Sequence, residues 1–157
     1  MTDPYTIRAI EAQDLQAMLA LLPQLADFQV PERRDPLDLW QSDAQLLGEV
    51  IAGAATLSFA DVIVDSANRP HGLVLITLRE ELMSHAPSAH LEAIVVSPEK
   101  RGKGLGQKLL QHAEEAAAQR GARSLSLHVF SNNLRARGLY DQAGYDSELI
   151  RAIKWFD

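Results

Sequence analysis

The chain has 157 residues, 46% hydrophobic and 23% charged, with 21 acidic against 15 basic side chains and a net charge of −6. That length suits one domain with a substantial core, spanning residues 1–157, and is too short for two ordinary ones. The acidic balance argues against nonspecific nucleic-acid binding and mildly favours a cationic substrate. The absence of cysteine excludes disulfides, thiolate metal sites and cysteine nucleophiles.

The first residues, Met1-Thr2-Asp3-Pro4-Tyr5, show no basic region followed by an apolar run, and no apolar stretch approaches bilayer length. A cytoplasmic protein is therefore expected. Tyr5 to Ile10 reads as a short strand, and Asp14 opens an amphipathic helix with Leu15, Met18, Leu19 and Leu22 on one stripe. Pro23, Pro31 and Pro36 punctuate an irregular region before a second helix, from Leu37 to about Ala52. Leu57 to Val64 and Leu73 to Leu78 are β-rich, and Asn68-Arg69-Pro70-His71-Gly72 between them predicts an antiparallel hairpin. Glu80 to Ser88 reads as a loop and Leu91 to Val96 as a buried strand. A helix follows from Gly104 to Arg120, its Leu105, Leu109, Ala113 and Ala116 stripe facing the core, and Gly121 ends it. Ser124 to Phe130 reads as a strand, Leu134 to Ala143 as a helix stopped at Gly144, and Glu148 to Phe156 as a closing strand. The βαβ piece around Gly104 sets two parallel strands side by side, with a crevice at their C-terminal ends.

The most informative stretch is Val95-Val96-Ser97-Pro98-Glu99-Lys100-Arg101-Gly102-Lys103-Gly104-Leu105-Gly106. A strand stops at a proline, and a short loop carries glycines and cations to a helix start. Glycines let backbone N–H groups approach an anion, and the first helical turn supplies unpaired donors with a favourable dipole. Arg101 and Lys103 add positive charge. The nucleoside-triphosphate loop is excluded, since no Gly-Lys-Ser/Thr run at the required spacing exists. The dinucleotide fingerprint fails because Gln107 stands where the third glycine belongs.

The spacing that does fit is Arg-x-x-Gly-x-Gly, read as Arg101, Gly104 and Gly106 and preceded by Val96-x-Pro98. It resembles the acyl-CoA pyrophosphate loop of the GCN5-related N-acetyltransferase (GNAT) superfamily. About thirty residues on, Asn133-Leu134-Arg135-Ala136-Arg137-Gly138-Leu139-Tyr140-Asp141-Gln142-Ala143-Gly144-Tyr145 resembles the superfamily's second signature, with Tyr145 where Phe is more usual. The close match covers Leu91 to Tyr145; the first ninety residues match only in their order of elements. The resemblance implies an α/β (α+β mixed sheet) acyl-CoA N-acyltransferase fold. Its central sheet would be mostly antiparallel, with a parallel pair splayed at the cofactor site and helices on both faces.

It further implies acetyl transfer from acetyl-CoA to a primary amine of a small molecule by direct attack in a ternary complex. The pyrophosphate would lie on Arg101, Gly102, Lys103, Gly104, Leu105 and Gly106. The pantetheine arm would lie beside Ile94, Val95 and Val96 as an extra pseudo-strand, a backbone N–H near Ile94 or Val95 facing the thioester carbonyl. Asn133 would hydrogen-bond the arm, although asparagine also suits a helix cap. Tyr140 would protonate the departing thiolate; otherwise it is a core tyrosine. For the general base, strand alternation sets His90, Glu92 and Ile94 on one face. Glu92 is the first candidate, since burial of a lone acid must be compensated and raises its pKa. His90 and a water chain are the alternatives.

No metal-ligand spacing and no Gly-x-Ser-x-Gly elbow occur, so neither a metal site nor a serine hydrolase is expected. Two other functions stay open: acetylation of protein lysines or N-termini, and a non-catalytic acyl-CoA-binding module. A homodimer paired through the closing strand or the Leu125 to Phe130 edge would match many relatives.

Overall fold

Strand pairing organises the chain. A computed structural model describes residues 3–157, in which β1 (Thr6–Ala9), β2 (Ser58–Val64), β3 (Pro70–Glu80), β4 (Pro87–Val96) and β5 (Leu125–Leu127) form one sheet in that order. The first three neighbouring pairs are antiparallel and β4 runs parallel to β5. Around the sheet lie α1 (Leu15–Leu21), α2 (Gln41–Ala52), α3 (Leu105–Gln119) and α4 (Leu134–Gln142). Short 3-10 turns flank α1, precede α2 and follow β4.

Alternation in the central strands sends side chains to two cores. On one face Met18, Leu22 and Leu47 pack against Val62, Leu73, Leu75, Ala93 and Val95. On the other, Leu105, Leu109, Leu110, Ala113 and Ala117 of α3 and Tyr140 of α4 pack against Ile63, Val74, Ile76, Ala89 and Leu91. Burial of each leucine contributes about 2 kcal/mol, so α3 is held mainly by its apolar stripe.

Two expectations are corrected. Glu148 to Phe156 pairs with no strand; Leu149, Ile150 and Phe156 are exposed. Alternating apolar residues make a strand only where a ladder partner exists. Here the segment is held instead by Arg33 on Asp157, 2.7 Å apart, and by Arg34 over the Trp155 ring at 4.8 Å. The alternation expected along β4 also breaks. Leu75 pairs with Ala93 but Ile76 pairs with Leu91, so Glu92 is an extra residue, a β-bulge. Ile94 therefore packs on the α3 face with Leu91, while Ala93 and Val95 face α1 and α2. Smaller differences are trims: the loop after β3 narrows to residues 81–86, and only Leu125–Leu127 of the later strand is paired.

Gly72 of β3 lies opposite Val96 of β4, and a Cβ there would stand 2.6 Å from the Val95 carbonyl oxygen. Gly72→Ala is expected to cost about 2 kcal/mol by overpacking and to lower Tm by roughly 5 °C in a thermal melt.

Candidate acyl-CoA site

The bulge and the end of a ladder together leave one edge of β4 open. The β4–β5 pairing runs from Ala89↔Leu125 to Leu91↔Leu127 and stops. Beyond it, Ala93 to Val96 remain paired to β3 on one side and, among the described residues, have no strand on the other. Ile94, Val95 and Val96 thus carry backbone groups along an open edge, where an amide-bearing chain can pair as a strand would.

At the end of β4 the chain turns through Pro98–Lys100 and Arg101 and enters α3. Gly102 and Gly104 have φ of 79° and 76°, a region that disfavours any side chain. Gly104 is the N-cap of α3 and no side chain caps the helix. Among the described residues, the N–H groups of 102–107 donate to no protein acceptor, the first ladder bond running from Lys108 N to the Gly104 carbonyl. A Cβ at Gly102 or Gly104 would meet no protein atom within 4 Å, and one at Gly106 only Leu139 at 3.7 Å. Open space faces these donors, and with the helix dipole it fits a phosphate group. Leu105 is buried as the first residue of α3 and Lys103 is exposed.

Arg101 is committed elsewhere. Its Nη1 lies 2.9 Å from Asp27 Oδ2 and its Nη2 3.3 Å from Gln24 Oε1. Arg135 Nη1 stands 3.7 Å from the same Asp27 carboxylate. The hydrogen bond from Arg101, and then both positive charges, hold that carboxyl below the usual range. Arg101 therefore ties the glycine loop to the segment after α1. The segment after α1 is joined to the segment before α4 by Asn132 Nδ2 donating to the Gln29 carbonyl at 2.6 Å and by Phe28 against Phe130.

Asn133 caps α4, its Oδ1 accepting from Ala136 N at 3.4 Å, which leaves its amide nitrogen free to donate. Tyr140 is 9% exposed in the cluster that includes Leu91, with Ile94 and Val96 packed against it. Its hydroxyl has no hydrogen-bond partner among the described residues, and burial pushes it up to about 12, so it stays a donor throughout the physiological range. The neighbouring Tyr145 packs edge-on at 5.9 Å and donates to Glu114 at 2.7 Å.

Glu92 projects from the bulge, its Oε1 3.7 Å from His90 Nε2. His90 is 5% exposed, and burial, then the charges of Arg79 and His128, push its pKa down to about 4. It is neutral at pH 7. Facing Glu92 from the first turn of α2 is Asp43, which sequence reading missed. Burial, then the Glu92 charge, raise Asp43 to about 7. An acid near a helix start is ordinarily a solvated dipole partner, so nothing local marked it. Among the described residues no group of three His, Asp or Glu side chains is arranged to hold a metal, and no helix is long and apolar enough to cross a membrane.

The acetyltransferase (GNAT) family model matches residues 13–145. An uncharacterised N-acetyltransferase of Bacillus subtilis is 35% identical over 125 residues, covering 71% of this chain and 76% of the relative. A thialysine N-epsilon-acetyltransferase of Bos taurus is 39% identical over 66 residues, covering 42% of this chain and 38% of the relative. In fold, a putative acetyl transferase from Pyrococcus furiosus has TM-score 0.76 at 22% identity, covering 97% and 99% of the two chains. AAC(6')-Iy in complex with the bisubstrate analog CoA-S-monomethyl-acetylneamine has TM-score 0.71 at 19% identity, covering 99% of each.

Asp43 supplies a pH signature. Its pKa is raised on folding, so ionisation destabilises the native state progressively as pH rises from about 4 to about 7. Asp43→Asn is expected to raise stability above pH 7 by on the order of 2 kcal/mol, after discounting for screening. The gain should vanish below pH 4, as read by urea unfolding across pH.

Proposed function

Because this chain belongs to the GNAT family of acetyltransferases, it is an acyl-CoA-dependent N-acyltransferase, and we propose that it moves an acetyl group from acetyl-CoA to a primary amine of a small molecule in a ternary complex. The observation that carries this reading is the continuity of the open β4 edge, residues 92–96, with the unpartnered N–H groups at the start of α3. Together they suit a phosphate bearing a long amide chain. Acetyl-CoA supplies the activated thioester; this chain's residues hold and orient it and manage the protons.

Residues 102–106 bind the pyrophosphate through backbone N–H groups, with Lys103 as the available charge. Ile94 to Val96 pair with the pantetheine amides, and Asn133 donates from its free amide nitrogen. A backbone N–H at Ile94 or Val95 meets charge as it develops on the thioester oxygen. Glu92 accepts the proton that the amine nitrogen loses as its bond to the acyl carbon forms. The carbon–sulfur bond breaks, and Tyr140 supplies a proton to the sulfur.

A small acceptor is favoured by the way residues 27–29 and 130–135 are joined across the cleft, which narrows access for a polypeptide. The half-buried acids Asp43 and Glu92 favour a cation. For assembly, β5 offers an edge with β4 as its only strand partner, and the segment after α4 exposes Leu149, Ile150 and Phe156. A second copy would cover both, and we read the active form as a homodimer.

Release of free CoA, followed with a thiol reagent over pooled amines and basic peptides, tests the reading; the cysteine-free chain adds no background. Amine-dependent release is expected, reduced about a hundredfold in Tyr140→Phe with acetyl-CoA binding retained. Release from the peptide pool alone would move the acceptor to proteins, and binding without any release would leave a non-catalytic module. Gly104→Val adds a side chain at positive φ and fills the space before the helix start. It is expected to weaken acetyl-CoA binding at least tenfold by calorimetry; unchanged affinity would remove the glycine loop from the site.

A further inference from the structure

His90 is enclosed by polar partners whose roles can be assigned. Its Nδ1 lies 2.7 Å from Arg79 Nη2 on β3 and 2.8 Å from Ser126 Oγ on β5. A guanidinium has donors only and stays protonated, so at that distance Arg79 donates and Nδ1 is the bare nitrogen. The ring proton of the neutral imidazole is then on Nε2. That nitrogen lies 3.7 Å from Glu92 Oε1, beyond hydrogen-bond length but within reach of a small rotation, as catalytic contacts often are before substrate binds. The other ionisable groups here are His128, its ring 4.8 Å from the His90 ring, and Asp43, which faces Glu92 from α2.

We propose that Arg79 is a positioning residue for the proton acceptor: it locks His90 as the neutral Nε2–H tautomer, whose N–H is directed at Glu92 and orients that carboxylate toward the amine. This rests on the reading of Glu92 as the base. Two carboxylates share the region, and the His90 N–H lies toward Glu92. Burial, then the Glu92 charge, drive Asp43 toward its protonated form. Protonation of Nδ1 would turn an N–H against the Arg79 N–H and set two cations together, so the lock holds through the physiological range. Ser126 Oγ lies beside the same nitrogen and directs its hydroxyl hydrogen at the Ala89 carbonyl.

The test combines side-chain nitrogen NMR of His90 with pH–rate profiles of the full chain. In the parent, His90 should show the Nε2–H tautomer unchanged from pH 5.5 to 8. Arg79→Met frees Nδ1, and the His90 pKa should then rise from about 4, with burial still holding it below the ordinary histidine value. The ratio of its kcat/KM to the parent's cancels titration of the amine itself. That ratio should fall at least twofold between pH 8 and pH 5, as a growing share of cationic His90 rings no longer orient Glu92 as in the parent, with KM for acetyl-CoA unchanged. His90→Leu should lose activity at all pH values, and His90→Gln, which keeps an N–H donor, should recover most of the loss. An Nδ1–H tautomer in the parent, or a flat ratio with Glu92→Gln inactive, overturns the positioning role alone. Full turnover in Glu92→Gln overturns the base assignment, and the positioning role falls with it.

Discussion

One extra residue in β4 governs the rest of the site. Without the bulge at Glu92, Ile94 would lie with Ala93's core partners and the strand would run on flat. With it, the strand bends and twists, and β4 carries a length of backbone that faces no neighbour beyond Leu91↔Leu127. The same residue brings a carboxylate to the mouth of that opening. A backbone edge and an acid are thus fixed on β4, which pairs with a β3 whose Leu73, Val74, Leu75 and Ile76 are fully buried. The glycine loop joins this strand directly to the start of α3.

Electrostatics then divides the site into two territories. At the proposed phosphate end the donors are backbone N–H groups, and the one arginine in the loop pairs with Asp27, which Arg135 also approaches, while Lys103 is exposed. At the amine end the carboxylates of Glu92 and Asp43 share a confined space while His90 stays neutral between Arg79 and Ser126. Anion and cation sites within one cleft suit a reaction joining an anionic donor to a cationic acceptor. Arg101 ties the glycine loop to the segment after α1 through Asp27 and Gln24.

What could be read from sequence follows from how local each signal is. The glycine loop, the α3 stripe and the Asn133 to Tyr145 run are contiguous patterns, and each forms the expected element. The bulge left no trace, because a single inserted residue alters neither composition nor β propensity. Glu148 to Phe156 has strand-like alternation but no partner, and pairing is a property of two segments. The Arg101–Asp27 contact spans 74 residues in sequence. The Arg79–His90 bond depends on register between β3 and β4. Asp43 reads as a helix-start acid until the fold buries it beside Glu92.

Amide hydrogen exchange with and without saturating acetyl-CoA tests the central claim most directly, because it reads the backbone groups themselves. Slowed exchange confined to residues 94–96 and 102–106, with β1 and β2 unchanged, is the expected result. Unaltered exchange at 102–106 under saturation would contradict the assignment of the open β4 edge and the α3 start as one acyl-CoA site.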